Sequence, residues 1–146
     1  MMNIYYENGL FSYEQFSFQL PSRMCLSSEQ DSMCGIQLLA PDSSFFVDLV
    51  FVETDLNAEE FIDDDIDEYH VVKFRGPVLT KNGVFGYHAA YETKNESYDE
   101  FAFNASKGVI FNVSLRHWKE NRIDEEFYNC VKNEILNSLQ NPTFGD

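Results

Sequence analysis

The chain is short of positive charge. Ten Lys+Arg stand against 25 Asp+Glu, a formal net charge of −15. A field of that sign repels phosphate backbones and anionic headgroups. Nucleic acid and membrane surfaces are therefore poor partners, and basic proteins or cations are better ones. Glycine is scarce, at seven residues, and none of them forms a phosphate-cradling loop motif. The three cysteines are odd in number, and reduced thiols are the expectation in a chain that reads as cytoplasmic. No apolar run approaches the roughly 20 residues of a membrane-spanning helix. Met1-Met2-Asn3-Ile4-Tyr5-Tyr6 lacks the basic and apolar regions of a signal peptide. Also missing are a nucleophile elbow and a His-Glu-x-x-His string.

Hydrophobic residues, by contrast, are plentiful. They make up 44% of the 146 residues and include 14 Phe and 8 Tyr, enough apolar surface to offset the entropy of folding without a disulfide or a metal. No linker, repeat or low-complexity segment interrupts the chain, so residues 1–146 read as a single domain.

Asn8-Gly9 between aromatic-rich runs predicts a type I′ hairpin. Tyr13–Leu20 alternates, Phe16, Phe18 and Leu20 against Gln15, Ser17 and Gln19, as a half-buried strand does, and Pro21 ends it. Arg23–Leu26 and Cys34–Leu39 flank the polar stretch Ser27–Ser32 and read as a short hairpin or loop. Phe45–Glu53 predicts a central strand, apolar on both faces except at Asp48. Asn57–His70 predicts a helix opened by an Asn57/Glu60 capping box, with Ile62, Ile66 and Tyr69 on its buried face. Val71–Thr80, Val84–Thr93, Tyr98–Ser106 and Val109–Trp118 read as strands joined by short turns, which forces antiparallel pairing. Their apolar sets are Phe85/Tyr87/Ala89/Tyr91, Phe101/Phe103 and Phe111/Val113/Leu115. Asp124–Leu139 predicts a closing helix with acidic residues in its first turn, an Ile123/Tyr128 hydrophobic staple and a Phe127/Val131/Ile135/Leu139 stripe; Pro142 closes the domain. The fold class is α+β: a meandering antiparallel sheet packed with two main helices, in the order strand, helix, four strands, helix, after an N-terminal hairpin region.

That order, with the strings Phe16-Ser-Phe-Gln-Leu-Pro21, the Phe- and Val-rich Gly108–Leu115 and the helix end Ile135-Leu-Asn-Ser-Leu139, resembles the PsbP/Mog-like fold family. The resemblance spans roughly residues 10–140 and rests on packing patterns. The family includes an extrinsic photosystem II subunit, a Ran-binding nuclear import factor and many small bacterial proteins, some of them adaptor chaperones for secreted toxins. It implies an antiparallel sheet with helices against it and a non-catalytic interaction role, and it assigns no functional residue.

Asp63-x-Asp65-x-Asp67 has the look of a calcium loop, but an EF-hand needs Gly and Glu where Glu68 and Phe74 stand. The acidic run is better read as the solvated face of a capped helix, or as a docking surface for a basic partner. Cys25 and Cys34, each preceded by methionine, face each other if Glu29-Gln30 centres a symmetric hairpin. Soft ligands of that kind favour Cu(I) or zinc, yet the spacing matches no structural zinc site, and core packing is the reading for them and for Cys130. His70 ends the first helix, where a cation suits the dipole, and His88 and His117 are scattered. No metal or cofactor is expected.

The polar alternates Gln15, Ser17, Gln19, His88, Glu100, Asn104, Asn112, Ser114 and Arg116 all read as lying opposite the Phe sets, some of them gathered on one wet sheet face across which Asp48 pairs with Arg116. Such a face is either plain solvent surface or a partner-binding surface, since Trp, Tyr and Arg are the commonest anchors. The sequence therefore points to a non-catalytic module that binds another, basic protein as adaptor, chaperone or neutralising partner. Asp48, Tyr98, Arg116, Trp118, Asp63, Asp64 and Asp67 are its candidate contacts. The alternative is a small-ligand protein or enzyme with a pocket between sheet and helix, marked by a cluster such as Asp48, His88 and Arg116.

Overall fold

The computed structural model describes residues 4–7 (backbone only), 9–21, 23–26 and 35–141. The expectations for Asn8, Ser27–Ser32, Cys34 and Pro142 fall outside the described residues. Strands β1 (Ile4–Glu7), β2 (Leu10–Tyr13) and β3 (Phe16–Gln19) form a three-stranded antiparallel sheet. Strands β4 (Cys25–Leu26), β5 (Gly35–Leu39), β6 (Phe46–Glu53), β7 (Val71–Leu79), β8 (Phe85–Glu92), β9 (Glu96–Ser106) and β10 (Val109–Trp118) form a seven-stranded one in the order β4-β5-β6-β10-β9-β8-β7. Each neighbouring pair in that sheet is antiparallel. Helices α1 (Ala58–Asp65) and α2 (Glu125–Ser138) complete an α+β architecture. No helix among the described residues is long and apolar enough to cross a membrane.

The two faces of the large sheet carry different layers. On one, Phe51, Phe103, Phe111, Val113 and Leu115 are buried with Phe16 and Phe18 of β3 and with Tyr128, Val131, Ile135 and Leu139 of α2. Phe111 stacks on Phe18 at 4.5 Å between ring centroids and meets Phe51 at 4.9 Å and Phe16 at 5.0 Å. The small sheet is thus docked through aromatic rings, each worth about 1.5–3 kcal/mol when fully buried. On the other face, Ala58 and Ile62 of α1 are buried with Ala89, Tyr91, Ala102 and Ile110. Both faces are therefore covered, each in part.

The caps are where the side chains predict them. Asn57 Oδ1 accepts from the Glu60 N–H at 2.8 Å, and Glu60 Oε1 accepts from the Asn57 N–H at 3.0 Å. Asp124 caps α2 through the Phe127 N–H at 3.1 Å. Asn57→Ala is expected to lower stability by about 1 kcal/mol, read as a lower urea midpoint with an unchanged slope.

Four local expectations are corrected. Helix α1 stops at Asp65, not His70, and Ile66 is already extended. Asp63, Asp64 and Asp65 crowd the helix C-terminus, where negative charge opposes the dipole. Asp67 Oδ1 instead turns the chain by accepting from the Tyr69 N–H at 2.8 Å, and Tyr69 is 79% exposed. The alternation over Tyr13–Leu20 hides a hairpin turn at Glu14–Gln15, with Glu14 in the left-handed region at φ 54°. Cys25, matched to Leu39, is exposed and not packed in the core. Cys130 is half-buried, not a core residue, and its Sγ lies 2.9 Å from Arg23 Nη2.

Candidate functional site

Pairing decides which polar alternates meet. On β10, Arg116 is matched to Phe46 of β6 on one side and to Tyr98 of β9 on the other, while Ser114 is matched to Asp48 and Glu100. Period-two alternation then places Phe46, Asp48, Tyr98, Glu100, Asn112 and Arg116 on the α1 face. Helix α1 packs over β8 and β9, so towards β6 this face is only half-buried.

Over that open half, Asp48 sits between two partners. Gln37 Nε2 donates to its Oδ1 at 3.0 Å, and Arg116 Nε lies 3.3 Å from its Oδ2. The Asp48–Arg116 pair expected from the sequence is therefore formed. The Arg116 guanidinium also lies over the Phe46 ring, 5.4 Å from its centroid. Trp118, at the end of the same strand, is 45% exposed. Tyr98 stacks on Tyr91 at 5.0 Å, and His70 packs against the pair, 4.8 Å from Tyr91. Asp63 reaches Arg75 of β7 at 3.3 Å. Asp64 and Asp67 are exposed at the end of α1. Asp48, Tyr98, Arg116 and Trp118 thus share one face, with the three aspartates at the margin that α1 forms.

Beneath α1 lies a group whose importance the sequence did not reveal. Glu100 is 3% exposed. Tyr91 Oη donates to its Oε1 at 2.8 Å and Asn112 Nδ2 to its Oε2 at 3.1 Å. Burial, and then the adjacent Asp65 carboxyl, push the Glu100 carboxyl up to about 8, against the pull of those two donors. Burial and the Glu100 charge raise the Tyr91 hydroxyl in turn. Glu100 stands among the polar alternates in the sequence, but its two donors lie on neighbouring strands, brought to it by register alone.

His88 is not on this face. It is matched to Phe101, and its ring stacks on Phe101 at 4.1 Å on the α2 side. There its Nε2 is 2.9 Å from Asp99 Oδ1, and Tyr128 Oη donates to Asp99 Oδ2 at 2.6 Å. Burial raises the Asp99 carboxyl, but His88, Tyr128 and Lys132 together hold it below its ordinary value. The physical reason is that β8 turns its larger side chains, Tyr87 and Tyr91, towards α1, leaving Gly86, His88 and Ala90 on the α2 side. Gly86 suits that side because a Cβ there would stand 2.4 Å from Ala102 O and from the Phe103 ring. Ser17 and Gln19 belong to the small sheet, and Gln15 to the turn that leads into β3. The single wet face expected from the sequence is accordingly split, and Asp48, His88 and Arg116 do not form one cluster.

A cleft of about 430 Å³ opens between the first turn of α1 and strands β7, β8 and β9. Pro77, Phe85 and Tyr87 give it apolar walls, and Asn57, Glu59 and Asn104 also line it. No family model matches this chain, and no curated protein matches its sequence.

Proposed function

We propose that the protein is a non-catalytic protein-binding module of the cytoplasm, an adaptor, chaperone or neutralising partner for a basic protein. Its docking surface is the half of the α1 face left open beside β6 and β10. The observation that carries this reading is the row of Phe46, Arg116 and Trp118 beside Asp48: an arginine held over an aromatic ring, with an exposed indole at the end of the same strand. Arg and Trp are the residues that most often anchor interfaces. The net charge of −15 supports a cationic partner, because a strong field speeds encounter with opposite charge. The element order and the resemblance to the PsbP/Mog-like fold, some of whose bacterial members are adaptor chaperones, lend support by analogy of fold alone.

The test is an affinity capture from native extract at low and high salt, run in parallel with Arg116→Ala and Trp118→Ala. One dominant basic partner, lost at high salt and weakened about thirtyfold by either substitution, is the expected result. No partner at either salt would move the reading to a small-ligand protein or enzyme with its pocket between sheet and helix. The cleft beside α1 favours that second reading, and a ligand-stabilisation screen tests it.

A further inference from the structure

We infer that the cleft between α1 and β7–β9 is a receptor for a single lysine or arginine side chain presented by a basic protein segment; this rests on the basic-partner reading above and adds a second anchor to it. The walls suit the stem of such a side chain. Pro77, Phe85 and Tyr87 line the cleft, and Phe85 is 62% exposed. Phe85 is matched across the strands to Leu79, itself 67% exposed, so the apolar wall continues onto the surface. Long basic side chains bury their methylenes on surface of this kind and keep the charge at its edge.

The charge at that edge is negative. Glu59 lines the cleft, is exposed, and has no ion pair among the described residues. Both Glu59 and Asp63 act on Tyr87: burial first, then these two carboxylates, hold its hydroxyl above the ordinary range against the pull of Arg75. One cation of this chain, Arg75, is already drawn to Asp63 at 3.3 Å, which leaves Glu59 for a second. Aromatic faces beside carboxylates attract a guanidinium or ammonium more than either alone. The α1 N-terminus opposes a cation with roughly half a charge, but Glu59 and Glu60, both in its first turn, outweigh it. Anions are disfavoured by the same sum. A second copy of this chain is disfavoured by the repulsion between two bodies of charge −15.

The test uses the whole protein and a labelled nonapeptide, one central arginine among glycine and leucine, in an NMR titration at low salt. The expected result is a shift of the Phe85 and Tyr87 ring resonances on addition of peptide. Phe85→Ala and Glu59→Gln, both surface changes that leave the core intact, should each weaken binding about threefold or more. A lysine version should bind and a citrulline version should not. Shifts confined to the Trp118 indole, with both cleft variants binding like the parent, would overturn the cleft and leave the open-face docking reading standing. No binding of either cationic peptide would overturn the cleft, while the open-face reading stands or falls on the capture from extract. Equal binding of the citrulline peptide would overturn the cation preference and mark an apolar groove.

Discussion

Glu100→Gln is expected to make the protein more stable than its parent at pH 9 and no more stable at pH 5. Burial and Asp65 place the Glu100 carboxyl near 8 in the folded chain, against an ordinary value of 4.5. A raised carboxyl favours the protonated form, so its stabilisation is complete below about 4.5 and is lost as pH rises through about 8. Each unit is worth about 1.4 kcal/mol, and a displacement of this size amounts to several kcal/mol. The groups facing Glu100 are Asp65 from α1, Tyr91 from β8, Asn112 from β10 and Tyr98 on its own strand. Glutamine, like the protonated acid, carries no charge: its carbonyl accepts from Tyr91, but its amide stands where Oε2 accepts from Asn112, and the loss of that bond is why no gain is expected at pH 5. Unfolding free energies of both proteins from urea melts between pH 5 and 9 decide the matter, and parallel curves would dismiss the buried proton. Asp65→Asn, which removes the charge that assists burial, should shrink the fall without abolishing it.

Phe111→Ala should be among the most costly single changes in the core, at about 3–5 kcal/mol. Phe111 has no solvent exposure and touches Phe16, Phe18 and Phe51. Its loss therefore opens a cavity at the seam between the two sheets. Domains of this size have only about 5–15 kcal/mol in hand, so the variant should melt far below its parent and bind apolar dyes. Phe85→Ala, on the surface, should stay within about 0.5 kcal/mol of the parent. A cost below about 1 kcal/mol at Phe111 would show that the small sheet is not seated on this face.

The parts of this fold that local chemistry decides were legible in the sequence. Asp124 and the Ile123/Tyr128 spacing mark the start of α2, and both of the latter side chains join the large core. Val109–Trp118 is bounded by a turn whose Gly108 takes φ 78° and by the charged residues after Trp118. What was not legible depends on pairing. Whether His88 faces α1 or α2 is set by its match to Phe101, because β8 carries plausible core residues on both sides. The two-residue turn at Glu14–Gln15 reverses the phase, setting Phe11 and Tyr13 on the face of Phe18 and Phe16, and alternation followed only from Phe16 onward does not show that reversal. Within the candidate site, Asp48 with Arg116 was readable because opposite charges stood on adjacent apolar strands. The Glu100 cluster was not, since its donors come from two other strands and its neighbour Asp65 from a helix end that ran shorter than the pattern.

Phe46 is matched to Arg116 and Glu53 to Val109, so α1 and strands β7–β9 lie inside the loop that this one pairing closes. Closing a loop of that length is unrewarded until many contacts form together, and topologies dominated by such distant pairings fold in milliseconds to seconds. The meander, linked by short turns, is expected to assemble first and β6 to join it afterwards. Between those events β10 is an apolar strand with an unfilled side, open to the β6 of another newly made chain, and how long that interval lasts sets the concentration at which refolding turns into aggregation.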